Sequence, residues 1–177
     1  KAINAGYFKE QILPLVIQTG KKQEVFDTDE HLRKQVNLQD FSKLKPAFDR
    51  DGTVTAGNSS GINDGASALV LANKSAISKY SMPVMAKIIS YGVGGVAPNL
   101  MGLGPIPATR EALSSAGLNI SQIDCIESNE AFAAQACAVA GELDFDPAKT
   151  NPNGGAIALG HPVGASGAII LTKLVYE

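Results

Sequence analysis

Among the side chains capable of chemistry, His161 has the most unusual surroundings. It lies in GGAIALGHPVGASGA, residues 154 to 168, where five glycines flank the one imidazole. Glycine lets backbone come close to a ligand, and Pro162 restricts the chain on either side, so the ring is left little freedom. An imidazole titrates near neutrality, which lets it take a proton from a thiol and then donate a hydrogen bond to a developing oxyanion. A histidine packed into a tight structural corner would fit the same residues. Asn129, Glu130, Ala131 and Phe132 form a second candidate, placed where an apolar strand gives way to a helix. Strand ends in open α/β sheets point toward the edge where ligands bind, and a carboxamide there can hold a water or a carbonyl without carrying charge. The alternative is structural: Asn129 as helix cap and Glu130 as a first-turn acid favoured by the helix dipole.

Weaker signals surround these two. TVTAGNSSGINDGAS, residues 53 to 67, is a run of small residues with Asn58, Ser59 and Ser60 between Gly57 and Gly61, suited to lying along an amide-bearing ligand or simply to turning the chain. Met101 in NLMGLGPIP is either core or a pliable apolar wall. Cys125 and Cys137 are twelve apart, with no CxxC pair. Neither a zinc site nor a disulfide scaffold is expected, and both read as small buried hydrophobes rather than reactive thiols. His31, between Glu30 and Leu32 in a charged stretch, reads as a surface residue.

The elements that must position these residues alternate. ASALVLAN from Ala66 is a short apolar run suited to a buried strand, and KSAISKY after it is helix-compatible. Val84–Ser90 is strand-like, and a helix opens near Pro107 and closes at Gly117. Ile123, Cys125 and Ile126 form a third apolar run, followed by a helix whose Phe132, Ala136, Val139 and Leu143 recur at i, i+4, i+7 and i+11 on one buried face. A last helix runs from Ala165, with Ile169, Thr172 and Val175 spaced alike. Short apolar runs alternating with helices predict an α/β fold, a sheet covered by helices. Residues 1 to 62 differ. They are polar and charged between Lys21 and Lys45, and read as a lid or insertion with no single regular element.

A chain of 177 residues supports one sizeable core, and 45% hydrophobic with 18% charged residues argues against disorder. A formal charge of -2 gives no basic face for nucleic acid. No apolar run is long enough for a membrane helix, so a soluble chain is expected, and the cysteine usage leads to the expectation of a reducing compartment, the cytoplasm or an organelle interior, with a cytoplasmic location preferred. Both ends read as cut through a helix.

NEAFAAQACAV (129 to 139), NGGAIALGHPVGASGA (153 to 168), TVTAGNSSGINDGA (53 to 66) and MGLGPIPA (101 to 108), in that family's order along essentially the whole chain, resemble the motifs of thiolases, in particular the biosynthetic acetyl-CoA acetyltransferases. The resemblance implies a layered α/β fold with a mixed sheet covered by helices and part of an inserted loop domain. Residues 1–62 would be the end of a coenzyme A-binding loop domain, 63–81 the last part of an N-terminal half, and 82–177 most of a C-terminal half. It implies His161 and Asn129 as catalytic residues, Ser60 facing the pantetheine arm, Met101 beside the acyl pocket and Phe132 in its wall. The family's two reactive cysteines match neither Cys125 nor Cys137; they would lie before Lys1 and beyond Glu177, so this stretch alone is expected to be inert. The implied reaction joins two acetyl-CoA into acetoacetyl-CoA. A degradative 3-ketoacyl-CoA thiolase and a non-catalytic coenzyme A-binding module are the alternatives. Acyl-CoA thioesters would be substrates, with no cofactor and no metal. No nucleic acid or membrane partner is expected, and the protein would be a homo-oligomer, dimer or tetramer.

Overall fold

The structure, a computed structural model, describes residues 1–177. It begins with one helical turn, α1 (Ala2–Ala5), which ends at Gly6 in the left-handed conformation. An antiparallel hairpin follows, β1 (Leu15–Thr19) with β2 (Lys22–Phe26), closed by Gly20 and Lys21. Gly20 has φ +65°, the positive value that tight hairpin turns require. The first 62 residues thus hold several short elements, none of which alone accounts for them. The hairpin escapes the sequence pattern because both strands are exposed on both faces, so no alternation of apolar and polar residues marks them. The short α2 (Leu38–Phe41) is capped by Asn37, whose side chain accepts the Gln39 N–H. The charged stretch from Lys21 to Lys45 is, as expected, almost entirely a solvated surface.

The helices expected after Asn73, near Pro107, along Val139 and from Ala165 are all present, and one further turn, Ala156–Leu159, is not among those expected. Asn73 caps α3 (Lys74–Tyr80) by accepting the Ala76 N–H. A short 3₁₀ segment, Pro98–Leu103, leads into α4 (Pro105–Ala116), which stops at Gly117 with φ +67°. Then come α5 (Ala133–Leu143), the one-turn α6 (Ala156–Leu159) and α7 (Ser166–Tyr176). Ile106 of α4 and Val139 and Leu143 of α5 form the buried core, with Leu103 and Phe145 packed against it. Val139 is 1% exposed and Leu143 7%, so the period read along α5 identifies its inner face. Cys137 lies off that face and is exposed, which corrects its reading as a buried hydrophobe.

The three apolar runs expected as strands form no ladder within these residues; the only sheet is the hairpin. The reason is physical: a strand exists only beside a neighbour that takes its backbone hydrogen bonds, and within residues 1–177 nothing flanks 66–73 or 84–90 in register. Their side chains stand open, Val70 at 80% and Leu71 at 73% exposure. Around His161, by contrast, isolated bridges stitch distant segments together: Ile62 with His161, Ser59 with Phe132, and Ile126 with Thr150. No helix is long and apolar enough to cross a membrane.

Candidate active site

The two ring nitrogens of His161 meet different partners. Nδ1 is 2.6 Å from Ser166 Oγ at the start of α7, and that hydroxyl reaches the Pro162 carbonyl at 2.9 Å. A hydroxyl proton given to the Pro162 carbonyl leaves Ser166 Oγ to accept from the ring, and only with the ring proton on that side does Nε2 offer a lone pair to the Asn129 amide donor opposite it. The ring proton is therefore on Nδ1, and Nε2 carries a lone pair. That lone pair faces Asn129 Nδ2 at 3.4 Å, the long end of hydrogen-bond range. The two side chains, 32 residues apart in sequence, thus converge, as the sequence reading requires. The geometry leaves Nε2 able to take a proton from a thiol.

Asn129 is not a helix cap. The N-cap of α5 is Phe132, with no side-chain cap bond, and Asn129 precedes it in a non-helical segment. Neither is Glu130 a first-turn acid. Its carboxylate accepts Asn151 Nδ2 at 3.2 Å and the Ile157 N–H at 3.2 Å, tying the segment to α6. Asn151 also brackets Ser128, accepting its N–H at 2.8 Å and donating to its carbonyl at 2.9 Å. Asn129 Oδ1 has no protein partner and lines a small cavity with Glu127, Ser166 and Lys173.

Beneath this lies an ion pair. Lys173 Nζ of α7 is 2.6 Å from Glu127 Oε2, with side chains 6% and 1% exposed, and donates also to the Gly154 carbonyl at 2.6 Å. One ammonium thereby links the residues leading to Asn129, the loop leading to His161 and the last helix. Burial raises the Glu127 carboxyl above the ordinary carboxylate range, and the Lys173 charge pulls against that rise.

The small-residue loop runs alongside. Ser60 N–H donates to the Ala131 carbonyl at 3.0 Å, and Ala133 N–H donates to the Asn58 carbonyl at 2.9 Å. Phe132 meets Phe48 edge-on with ring centroids 5.9 Å apart. The small-residue loop is thus bonded through its backbone to residues 131–133, just after Asn129 in the chain. Met101 does not join them as a buried wall: it is 75% exposed on the 3₁₀ segment before α4. Burial, reinforced by the Glu127 and Glu177 charges, pushes the Cys125 thiol up, which disfavours the nucleophilic thiolate. No cluster of three or more His, Cys, Asp or Glu residues is arranged to hold a metal ion.

His31 corrects the reading as a surface residue. It is half-buried, with Nδ1 3.1 Å from Asn63 Nδ2 and Nε2 3.4 Å from the Ile157 carbonyl. Nothing local in a charged stretch announces partners 32 and 126 residues away. Ser166 and Lys173 were likewise not singled out for their contacts. The one available signal was a hydroxyl five residues after the histidine, at a helix opening.

Family comparisons complete the picture. Residues 1–75 match the thiolase N-terminal domain and residues 82–177 the thiolase C-terminal domain. The chain belongs to the thiolase family. Its relatives include the "Beta-ketothiolase BktB" of Cupriavidus necator, 52% identical over 99% of this chain and 45% of that protein. A crystal structure of the Bacillus anthracis acetyl-CoA acetyltransferase superposes with TM-score 0.95 at 45% identity, over 99% of this chain and 44% of the other. Human mitochondrial 3-ketoacyl-CoA thiolase in complex with CoA superposes with TM-score 0.88 at 43% identity, over 99% and 43%. The layered α/β fold is therefore that of thiolases, and the chain spans somewhat under half the length of the thiolases it matches.

Proposed function

We propose that the complete protein condenses two acetyl-CoA molecules into acetoacetyl-CoA and free CoA by a ping-pong Claisen mechanism. The observation that carries this reading is the His161 Nε2 lone pair opposite the Asn129 amide at 3.4 Å, with the ring tautomer fixed by Ser166. In the first half-reaction His161 Nε2 takes the proton of a cysteine thiol supplied elsewhere in the complete protein. The thiolate attacks the acetyl carbonyl, the bond from that carbon to the CoA sulfur breaks, and a second cysteine gives its proton to the leaving sulfur, so that an acyl-enzyme forms, His161 keeps the proton it took and the second cysteine becomes a thiolate. In the second, that cysteine removes the α-proton of another acetyl-CoA. The enolate oxygen accepts hydrogen bonds from His161, now protonated on Nε2, and from a water on Asn129, where its charge develops. The enolate carbon attacks the acyl group, the bond from the acyl carbon to the enzyme sulfur breaks, and the sulfur takes back the proton held by His161. Cys125, with its raised pKa, and the exposed Cys137 play no part.

Ser60, held beside Ala131 through its backbone, faces the pantetheine arm, while Phe132 and Met101 border the acyl group. No cofactor or metal is required. The protein works as a homo-oligomer in the cytoplasm, and its division follows 1–62, 63–81 and 82–177.

A second reading, degradative 3-ketoacyl-CoA thiolysis, is favoured by the similarity to the human mitochondrial enzyme and by the exposure of Met101, which leaves the acyl side open. Thiolysis of acetoacetyl-CoA against a 3-ketoacyl-CoA with several more carbons separates the two. The biosynthetic reading expects kcat/KM for the four-carbon substrate to be at least about tenfold higher, the discrimination that a few methylenes in a short pocket can supply. Equal or reversed preference selects the degradative reading. Absence of turnover on both, with CoA still bound, leaves a non-catalytic binding module.

A further inference from the structure

His161 is held at a second point that lies outside its ring. Its backbone N–H donates to Asn63 Oδ1 at 3.0 Å. A backbone N–H has no other role than donor, so the Asn63 amide is oriented with oxygen toward His161 and nitrogen away from it. That nitrogen is 3.1 Å from His31 Nδ1, which must then be the acceptor. The other ring nitrogen of His31 lies 3.4 Å from the Ile157 carbonyl, an acceptor only, and so carries the proton. Every donor meets an acceptor in this one arrangement alone. His31 has its hydrogen on Nε2 and His161 on Nδ1, opposite tautomers joined through one amide.

The backbone is shaped to admit the chain of contacts. A Cβ at Gly61 would overlap the His31 ring at Cε1. Gly160, immediately before the catalytic histidine, has φ +103°, and a Cβ there would come within 2.9 Å of Asn63 Oδ1. Between them Ile62 pairs with His161 as a parallel bridge. The segment 61–63 thus grips the Gly160–His161 turn from one side while Ser166 grips the ring from the other.

We infer that Asn63 is a positioning residue for His161, fixing its backbone, and that His31 orients the Asn63 amide by accepting from it. The kinetic part of this inference rests on the reading of His161 as the catalytic imidazole; the hydrogen-bond part does not.

The test uses the complete protein, nitrogen-labelled at histidine. Nitrogen NMR should show the His31 Nδ1 as an unprotonated ring nitrogen, and Asn63→Asp, nearly isosteric but unable to donate, should convert it to a protonated one. A protonated Nδ1 in the unsubstituted protein overturns the inference without any variant needing to fold. Kinetically, Asn63→Ala should lower kcat about tenfold, within the range that a misplaced catalytic group can cost, while KM for acetyl-CoA changes less than about twofold. Adding His31→Phe to Asn63→Ala should produce no further loss, because His31 acts only through the amide. A lowered Tm with kcat per folded enzyme unchanged would mean a merely structural contact and overturn the positioning role. An unsubstituted protein that turns over no acyl-CoA would instead count against the proposed function and leave the NMR arm standing.

Discussion

His161→Ala in the complete protein is expected to slow acyl-enzyme formation by roughly 10²–10⁴-fold, the range that a positioned general base supplies. The expectation follows from the ring's fixed tautomer. With Nδ1–H held by Ser166 Oγ at 2.6 Å, the ring presents Nε2 as its only acceptor, toward Asn129 and the space where a thiol would approach. Alanine leaves no group there to take the thiol proton. Pre-steady-state release of CoA from acetyl-CoA reads the step directly, since one CoA leaves as each acyl-enzyme forms. A burst at the unsubstituted rate would remove His161 from the mechanism. Because the proposed mechanism has the same ring donate to the enolate later, the condensation half-reaction should fall as well.

Asn129→Ala separates the two half-reactions. Its amide has no acid or base chemistry, so the deprotonation of the nucleophile should be nearly unaffected. In the proposed mechanism its contribution is a hydrogen bond to a water that faces the enolate oxygen. Loss of one oxyanion-hole donor costs about 10²–10³-fold in rate, and a contact relayed through water is expected at the lower end, about 10²-fold, on the condensation step. Acylation, measured as the CoA burst, should change by less than about threefold, a small fraction of the range ascribed to the base itself. Equal losses in both half-reactions would contradict the division of labour between the two side chains.

What could be read in advance was whatever is decided locally. The α4 helix is announced by its prolines and closed by Gly117, and α5 by the spacing of Val139 and Leu143. Such signals lie within a few residues of the structure they specify. The apolar runs 66–73 and 84–90 have strand composition, yet a strand needs a neighbour to take its backbone hydrogen bonds and neither run pairs with one. The hairpin of β1 and β2 escaped for the opposite reason, since its pairing is local but its faces are not differentiated by burial.

The site divides in the same way. His161 was legible because five glycines crowd one imidazole, and its pairing with Asn129 because family motifs carry both. Asn63 and His31 were not, since their roles depend on a turn that folds back across about a hundred residues. Lys173 falls inside the expected last helix without being marked by its pattern, although its ammonium is what joins α7 to Glu127 and Gly154. A long side chain drawn inward to a buried carboxylate leaves no mark in a periodicity count.

The most direct measurement is a crystal structure of the complete protein with an unreactive acetyl-CoA analogue bound. The account predicts the thioester carbonyl oxygen within about 3.2 Å of His161 Nε2, with a water bridging that oxygen to Asn129 Nδ2. An oxygen held by other groups, with His161 and Asn129 turned away from it, would contradict the account at its centre.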